Sequence, residues 1–137
     1  MKDVIICGKA NIGIPVEALR KGDAEFWMLG TDKREGADKY FELHGIKVEH
    51  ENTFYELPDE VYNQGLPVNN SISALAIYAW MLGAKKISII GAPMDSTPEY
   101  VQERPSLAFV VGYLAGCGIK MEWDGMVENN DYGRKKK

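Results

Sequence analysis

Two stretches of this 137-residue chain, residues 72–83 and 105–116, contain no charged residue. Each ends in glycine and leads into a short segment with strand character, residues 86–91 and 118–123. The second half therefore reads helix (70–83), strand (86–91), helix (99–116), strand (118–123). Alternation in this order implies a parallel sheet with right-handed crossovers. Gly83 and Gly116 fall where helix C-caps belong. Pro105 would remove one helical hydrogen bond, so the second helix either starts near Arg104 or bends there.

The first half has the same grammar in shorter pieces. Residues 4–7 are an apolar run ending at Gly8, residues 15–21 a brief helix, and residues 25–30 and 40–44 two further strands. Residues 47–49 read as a short strand, and residues 52–65 as an irregular surface segment with one helical turn. The expected fold class is α/β, a single Rossmann-like domain over residues 1–133 with a mostly parallel sheet flanked by helices. Residues 134–137, Arg-Lys-Lys-Lys, form a basic tail expected to be disordered. A helix on the outside of such a domain should be amphipathic, and neither uncharged helix is. At least one is therefore expected to face a second copy, most simply in a homodimer.

Charge and cysteine content narrow the partners. The net charge is −4, and because the tail carries +4, residues 1–133 carry −8. Such a body repels a polyanion, so no nucleic-acid polymer is expected. The two cysteines, Cys7 and Cys117, are far apart and form neither a disulfide framework nor a metal-spaced cluster. The N-terminus lacks the apolar length of a signal peptide, and the longest uncharged run is broken by Asn69, Asn70, Ser71 and Ser73. A cytoplasmic protein with no membrane partner is expected.

In open parallel sheets ligands bind beyond the carboxyl ends of the strands, where helix N-termini present N–H groups. That rule collects Gly8, Lys9 and Asn11 after the first strand and Asp32 after the second. The loop from Gly8 to Gly13 has two glycines, not the three of a dinucleotide fingerprint, and no Walker spacing. No NAD, ATP or metal cofactor is expected; the loop is either a phosphate cradle or a plain strand-to-helix turn. Glu42 and His44 alternate with Phe41 and Leu43, so the polar pair shares one face at a strand end. A carboxylate beside an imidazole can raise its basicity, which makes His44 the candidate acid or base, with ligand contact or a structural role as the alternatives. Asn69, Asn70 and Ser71 precede a helix where one cap suffices, leaving two for a ligand. After the fourth strand come Met94, Glu99, Tyr100 and Arg104. Arg104 is the only cation between Lys86 and Lys120, and must pair with Glu99, Glu103 or Asp95, or with an anionic ligand.

Trp27 with Leu29, Asp38 with Phe41-Glu42-Leu43-His44, Asn70-Ser71, Gly91 with Met94, and Glu99-Tyr100 with Arg104-Pro105 occur in this order. Together they resemble a family of small Rossmann-like proteins of bacteriophage genomes, whose pattern is W-x-L-N, D-x-x-F-E-L-H, N-S, G-x-D-M and E-Y-x-x-Q-R-P. The likeness extends from Val4 to about Trp123. More distantly the chain is similar to Rossmann-like transferases that use nucleotide-activated donors, which carry G-x-G-P-S where this chain has Gly8-Lys9-Ala10-Asn11. It departs from the nearer pattern at Gly30, Pro93 and Glu103, each change removing or altering a polar group.

The leading expectation is a protein that binds a small anionic, nucleotide-derived ligand in the strand-end cleft, with a host defence signal sequestered by a phage protein as the context the resemblance implies. The alternatives are a nucleotide-dependent transferase or hydrolase using His44 and Arg104, and an interaction module without a small-molecule ligand.

Overall fold

The computed structural model describes residues 3–43, 54–94 and 97–129. The elements are β1 (Val4–Cys7), α1 (Val16–Leu19), β2 (Glu25–Leu29), β3 (Lys39–Glu42), β4 (Phe54–Glu56), a 3-10 helix (Asp59–Asn63), α2 (Ser71–Met81), β5 (Lys86–Ile90), α3 (Pro98–Gly116), β6 (Lys120–Trp123) and a second 3-10 helix (Asp124–Asn129). The six strands form one parallel sheet in the order β4-β3-β2-β1-β5-β6. This is the expected α/β architecture, and the strand order reverses between β1 and β5.

Strand β1 lies at the centre, with Ile6 beside Trp27 on one flank and Ile89 on the other. All four of its residues are buried, as a strand covered on both faces requires. Alternate side chains then separate into two cores. Ile6, Trp27, Phe41 and Ile89 point toward α2 and α3, whereas Ile5, Cys7, Phe26, Met28 and Tyr40 pack with Val16 of α1. Trp27 anchors the larger core, its ring centroid 4.8 Å from Phe41 and 5.8 Å from Tyr78.

Helix α2 starts where the sequence placed it. The Asn70 side chain accepts from the Ser73 N–H at 2.8 Å, and Gly83 turns the chain after the helix at φ 91°. Seven of its eleven residues are buried beneath the 3-10 helix, α3 and the sheet. The chain itself thus covers most of α2, leaving Met81 and Leu82 exposed at its end.

Several boundaries differ from the sequence reading. Helix α3 neither starts at Arg104 nor waits for it: Thr97 caps it, Pro98 occupies the first turn, and the helix runs on through Pro105. Its burial against the sheet compensates one missing hydrogen bond. Gly116 stays inside the last turn, Cys117 is the cap, and Gly118 at φ 93° makes the reversal. Strand β3 ends at Glu42, and β4 adds a strand within a segment expected to be irregular, pairing Tyr40 with Phe54. The strand expected at 47–49, His44 and the 134–137 tail lie outside the described residues.

Candidate functional site

The ends of β1 and β5 are drawn together by backbone, leaving no room for side chains between them. Gly8 N–H donates to Ile90 O and Ala10 N–H to Gly91 O, both at 2.9 Å. A Cβ on Gly8 would lie 2.5 Å from Gly91 O, and one on Gly91 would lie 2.7 Å from Asn11 Oδ1. Gly91 also has φ 66°, in the left-handed region that favours glycine. From the other side Asp124 Oδ2 accepts from Gly91 N–H at 2.8 Å, and Trp123 Nε1 donates to Ala92 O at 2.7 Å. Burial pushes the Asp124 carboxyl up, while N–H groups of Gly91, Ala92 and Gly125 pull it down less strongly.

Above this floor opens a cavity of about 550 Å³. Gly8, Lys9 and Ala10 form one side, Leu29, Thr31 and Leu43 the ends of β2 and β3, and Tyr62 an aromatic edge. The first turn of α2 with Asn69, Asn70 and Ser71 enters opposite the β5 loop, and Glu99, Tyr100 and Glu103 of α3 close the remaining wall. Met94 also lines it, with φ 61°, a conformation a side chain adopts at a cost of about 1–2 kcal/mol. Asn70 is committed twice: its Oδ1 caps Ser73 N–H and its Nδ2 donates to Asn69 Oδ1 at 3.0 Å. The Asn69 amide nitrogen is the donor that this braced pair presents. The ionisable lining is Lys9 against Glu99 and Glu103, so the cavity is not a uniformly basic cradle.

Of the residues collected by the strand-end rule, Gly8, Lys9, Asn69, Asn70, Ser71, Met94, Glu99 and Tyr100 come together here. Asn11, Asp32, Glu42 and Arg104 do not line the cavity, and His44 lies outside the described residues. Asp32 and Asn11 are held instead by Arg34, which the sequence reading missed. Its guanidinium bonds Asp32 Oδ2 at 2.7 Å, Asn11 Oδ1 at 2.9 Å, and the carbonyls of Gly8, Asn11 and Ile14 at 3.0 Å each. The Asp32 side chain is fully buried and that of Arg34 only 10% exposed. The hydrogen bond to Asp32 raises the Arg34 pKa above its already high ordinary value. This cluster is the pin that sets the shape of the β1–α1 loop. Its one sequence signal was Asp32 and Arg34 two residues apart in a short loop, a spacing that allows a carboxylate to hold both a backbone N–H and a guanidinium.

Arg104 is also used internally; Asp95, one of the carboxylates offered to it by the sequence, lies outside the described residues, and its partners among the described residues include two backbone carbonyls and an indole ring. It donates to Pro93 O and Gly125 O, and its guanidinium lies 5.0 Å from the Trp123 ring centroid. It thereby ties the β5 loop to the segment after β6. Cys7 lies below the cavity floor. Burial pushes its thiol up, outweighing the lowering by Arg34 and Asn11, the opposite direction to that of an activated thiol. Among the described residues no group of three or more His, Cys, Asp or Glu could hold a metal ion, and no helix is long and apolar enough to cross a membrane.

No family model matches the chain, and no curated protein or solved structure does. The parallel-sheet α/β fold is what stands of the resemblance drawn from the sequence.

Proposed function

We propose that this protein binds a small nucleotide-derived molecule carrying a single anionic group in the cavity at the ends of β1 and β5. The observation that carries the reading is the position of that cavity: it opens where the strand order reverses, above two glycines whose missing side chains let the ends of β1 and β5 close into a backbone floor, and beside the first turn of α2. Its volume falls within the range of small-molecule sites, roughly 300–1,000 Å³. The N-terminal turn of α2 and Lys9 favour one anion. Glu99 and Glu103 oppose a second, and suit sugar hydroxyls or the amino group of a base. Leu29, Leu43, Tyr62 and Met94 supply the apolar surface for a planar ring.

In the context implied by the sequence resemblance, the ligand is a nucleotide signal of a host's defence and the protein a cytoplasmic phage product that sequesters it. The reading is binding without turnover; Asp32 and Arg104 are used internally, and the candidate acid or base, His44, lies outside the described residues. Mass spectrometry of small molecules released from the purified protein, followed by calorimetric titration with 5′-nucleoside mono-, di- and triphosphates, tests the reading. Monophosphates binding more tightly than triphosphates is the expected order. A steady gain in affinity with each added phosphate would overturn it.

A further inference from the structure

The chain buries seven of the eleven residues of α2 but leaves half of α3 open. Leu107, Val110, Val111 and Leu114 face the core, and the opposite side, Val101, Pro105, Ala108, Phe109, Gly112 and Tyr113, is exposed. No exposed residue between Val101 and Gly116 is charged, over a length where a solvent-facing helix normally carries several. We propose that this outer face is the contact with a second copy of the same chain, in an antiparallel, twofold arrangement of the two α3 helices.

Three features favour a second copy over any other occupant. The first is shape. Phe109 is 57% exposed, and three residues on, Gly112 has nothing within 4 Å of where a Cβ would stand. A knob and a hole on one face are what a self-complementary contact needs, because twofold symmetry places each knob over the other copy's hole. The second is charge. Exposed Glu99 lies at the start of α3, and exposed Lys120 and Lys85 lie beyond its end. Antiparallel pairing brings the acidic end of one helix to the basic end of the other, and opposes the two helix dipoles favourably. The third is area. Phe109 and Tyr113, 57% and 43% exposed, leave on the order of 100 Å² of aromatic surface each. Val101, 53% exposed, extends this apolar strip toward the start of the helix; a standard stable interface buries ~800 Å² per partner, and homodimer contacts are about 65% apolar.

Sedimentation velocity of the full chain from about 1 to 100 µM is the test, run alongside Phe109→Glu and Gly112→Gln. The second variant places a side chain in space that is open in the single chain, and glutamine favours helix over glycine. It should therefore fold at least as well while blocking the hole. The expected result is a dimer for the wild type, dimerisation weakened about 100-fold or more by Phe109→Glu, and weakened dimerisation with an unchanged or higher Tm for Gly112→Gln. A wild type that is monomeric throughout overturns the proposal. So does a dimer that both folded variants leave intact, which would place the contact elsewhere. Co-sedimentation of the monomer with anionic vesicles, lost in Phe109→Glu, would assign the face to a lipid surface instead.

Discussion

Replacing Arg34 with methionine removes one side chain from the middle of the loop that borders the cavity. The stem volume is kept and the guanidinium is lost. What remains is the Asp32 carboxylate, fully buried and without its charge partner, and three carbonyls, of Gly8, Asn11 and Ile14, that lose a donor. Breaking a buried pair by deleting one member typically costs ~3–5 kcal/mol. The carbonyls add less, because the loop carries exposed Ile12 and Ile14 and can relax toward water. A loss of about 4 kcal/mol is a quarter or more of the ~5–15 kcal/mol that holds a domain of this size. Urea unfolding followed by tryptophan fluorescence should read it as a midpoint about 2 M lower, for a slope of about 2 kcal/mol/M. Adding Asp32→Asn to Arg34→Met removes the stranded charge and should recover at least ~1–2 kcal/mol. An Arg34→Met protein within ~1 kcal/mol of wild type, or a double variant that loses the full sum of the single losses, would refute a structural role for the pair.

Arg104→Ala should lower thermal stability, by about 1–3 kcal/mol, through the lost stack on Trp123 and two carbonyls left without their donor, and should change affinity for a cavity ligand little; paired thermal unfolding and calorimetry distinguish this from a direct ligand contact. Glu25 governs part of the acid response. Burial pushes its carboxyl up, but the hydrogen bonds from Lys39 and Trp27 together with the Lys39 charge outweigh this and hold it below its ordinary value of 4.5. Because the folded value is depressed, the stabilisation is present above pH 4.5 and is lost as pH falls through the folded value. Glu25→Gln should be less stable than wild type at neutral pH, and the two should converge in urea titrations carried down to about pH 3.

The second half of the sheet was legible because β5 and β6 are each preceded by a helix with clear ends, such as Asn70 before α2 and Gly83 after it. β4 was not, since Phe54-Tyr55-Glu56 is too short to show a period and is held by its pairing with β3. For a related reason Pro105 does not set the start of α3: propensity is local, whereas α3 is fixed by Leu107, Val110, Val111 and Leu114 against the core. At the site, the strand-end rule found backbone positions, because topology alone puts Gly8, Asn69–Ser71 and Gly91 at one edge. It could not tell which polar side chains were already taken. Asn11 meets Arg34 across 23 residues, and Arg104 is satisfied by carbonyl oxygens, which carry no signature in sequence. The two uncharged helices looked alike, yet Tyr78 of α2 packs on Trp27 and Phe41, while Tyr113 of α3 stays 43% exposed.

Ligand binding at the β1–β5 edge is tested most directly by mapping backbone amide NMR shifts during titration with adenosine, guanosine, cytidine and uridine 5′-monophosphates. At least one should shift the amides of Gly8 to Ala10, Ser71, Ile72 and Gly91 together, and leave those of the opposite sheet end, such as Lys86 and Lys120, in place. Saturable shifts centred on another surface, or none with any of the four at millimolar concentration, would contradict the assignment of this cavity as a nucleotide site.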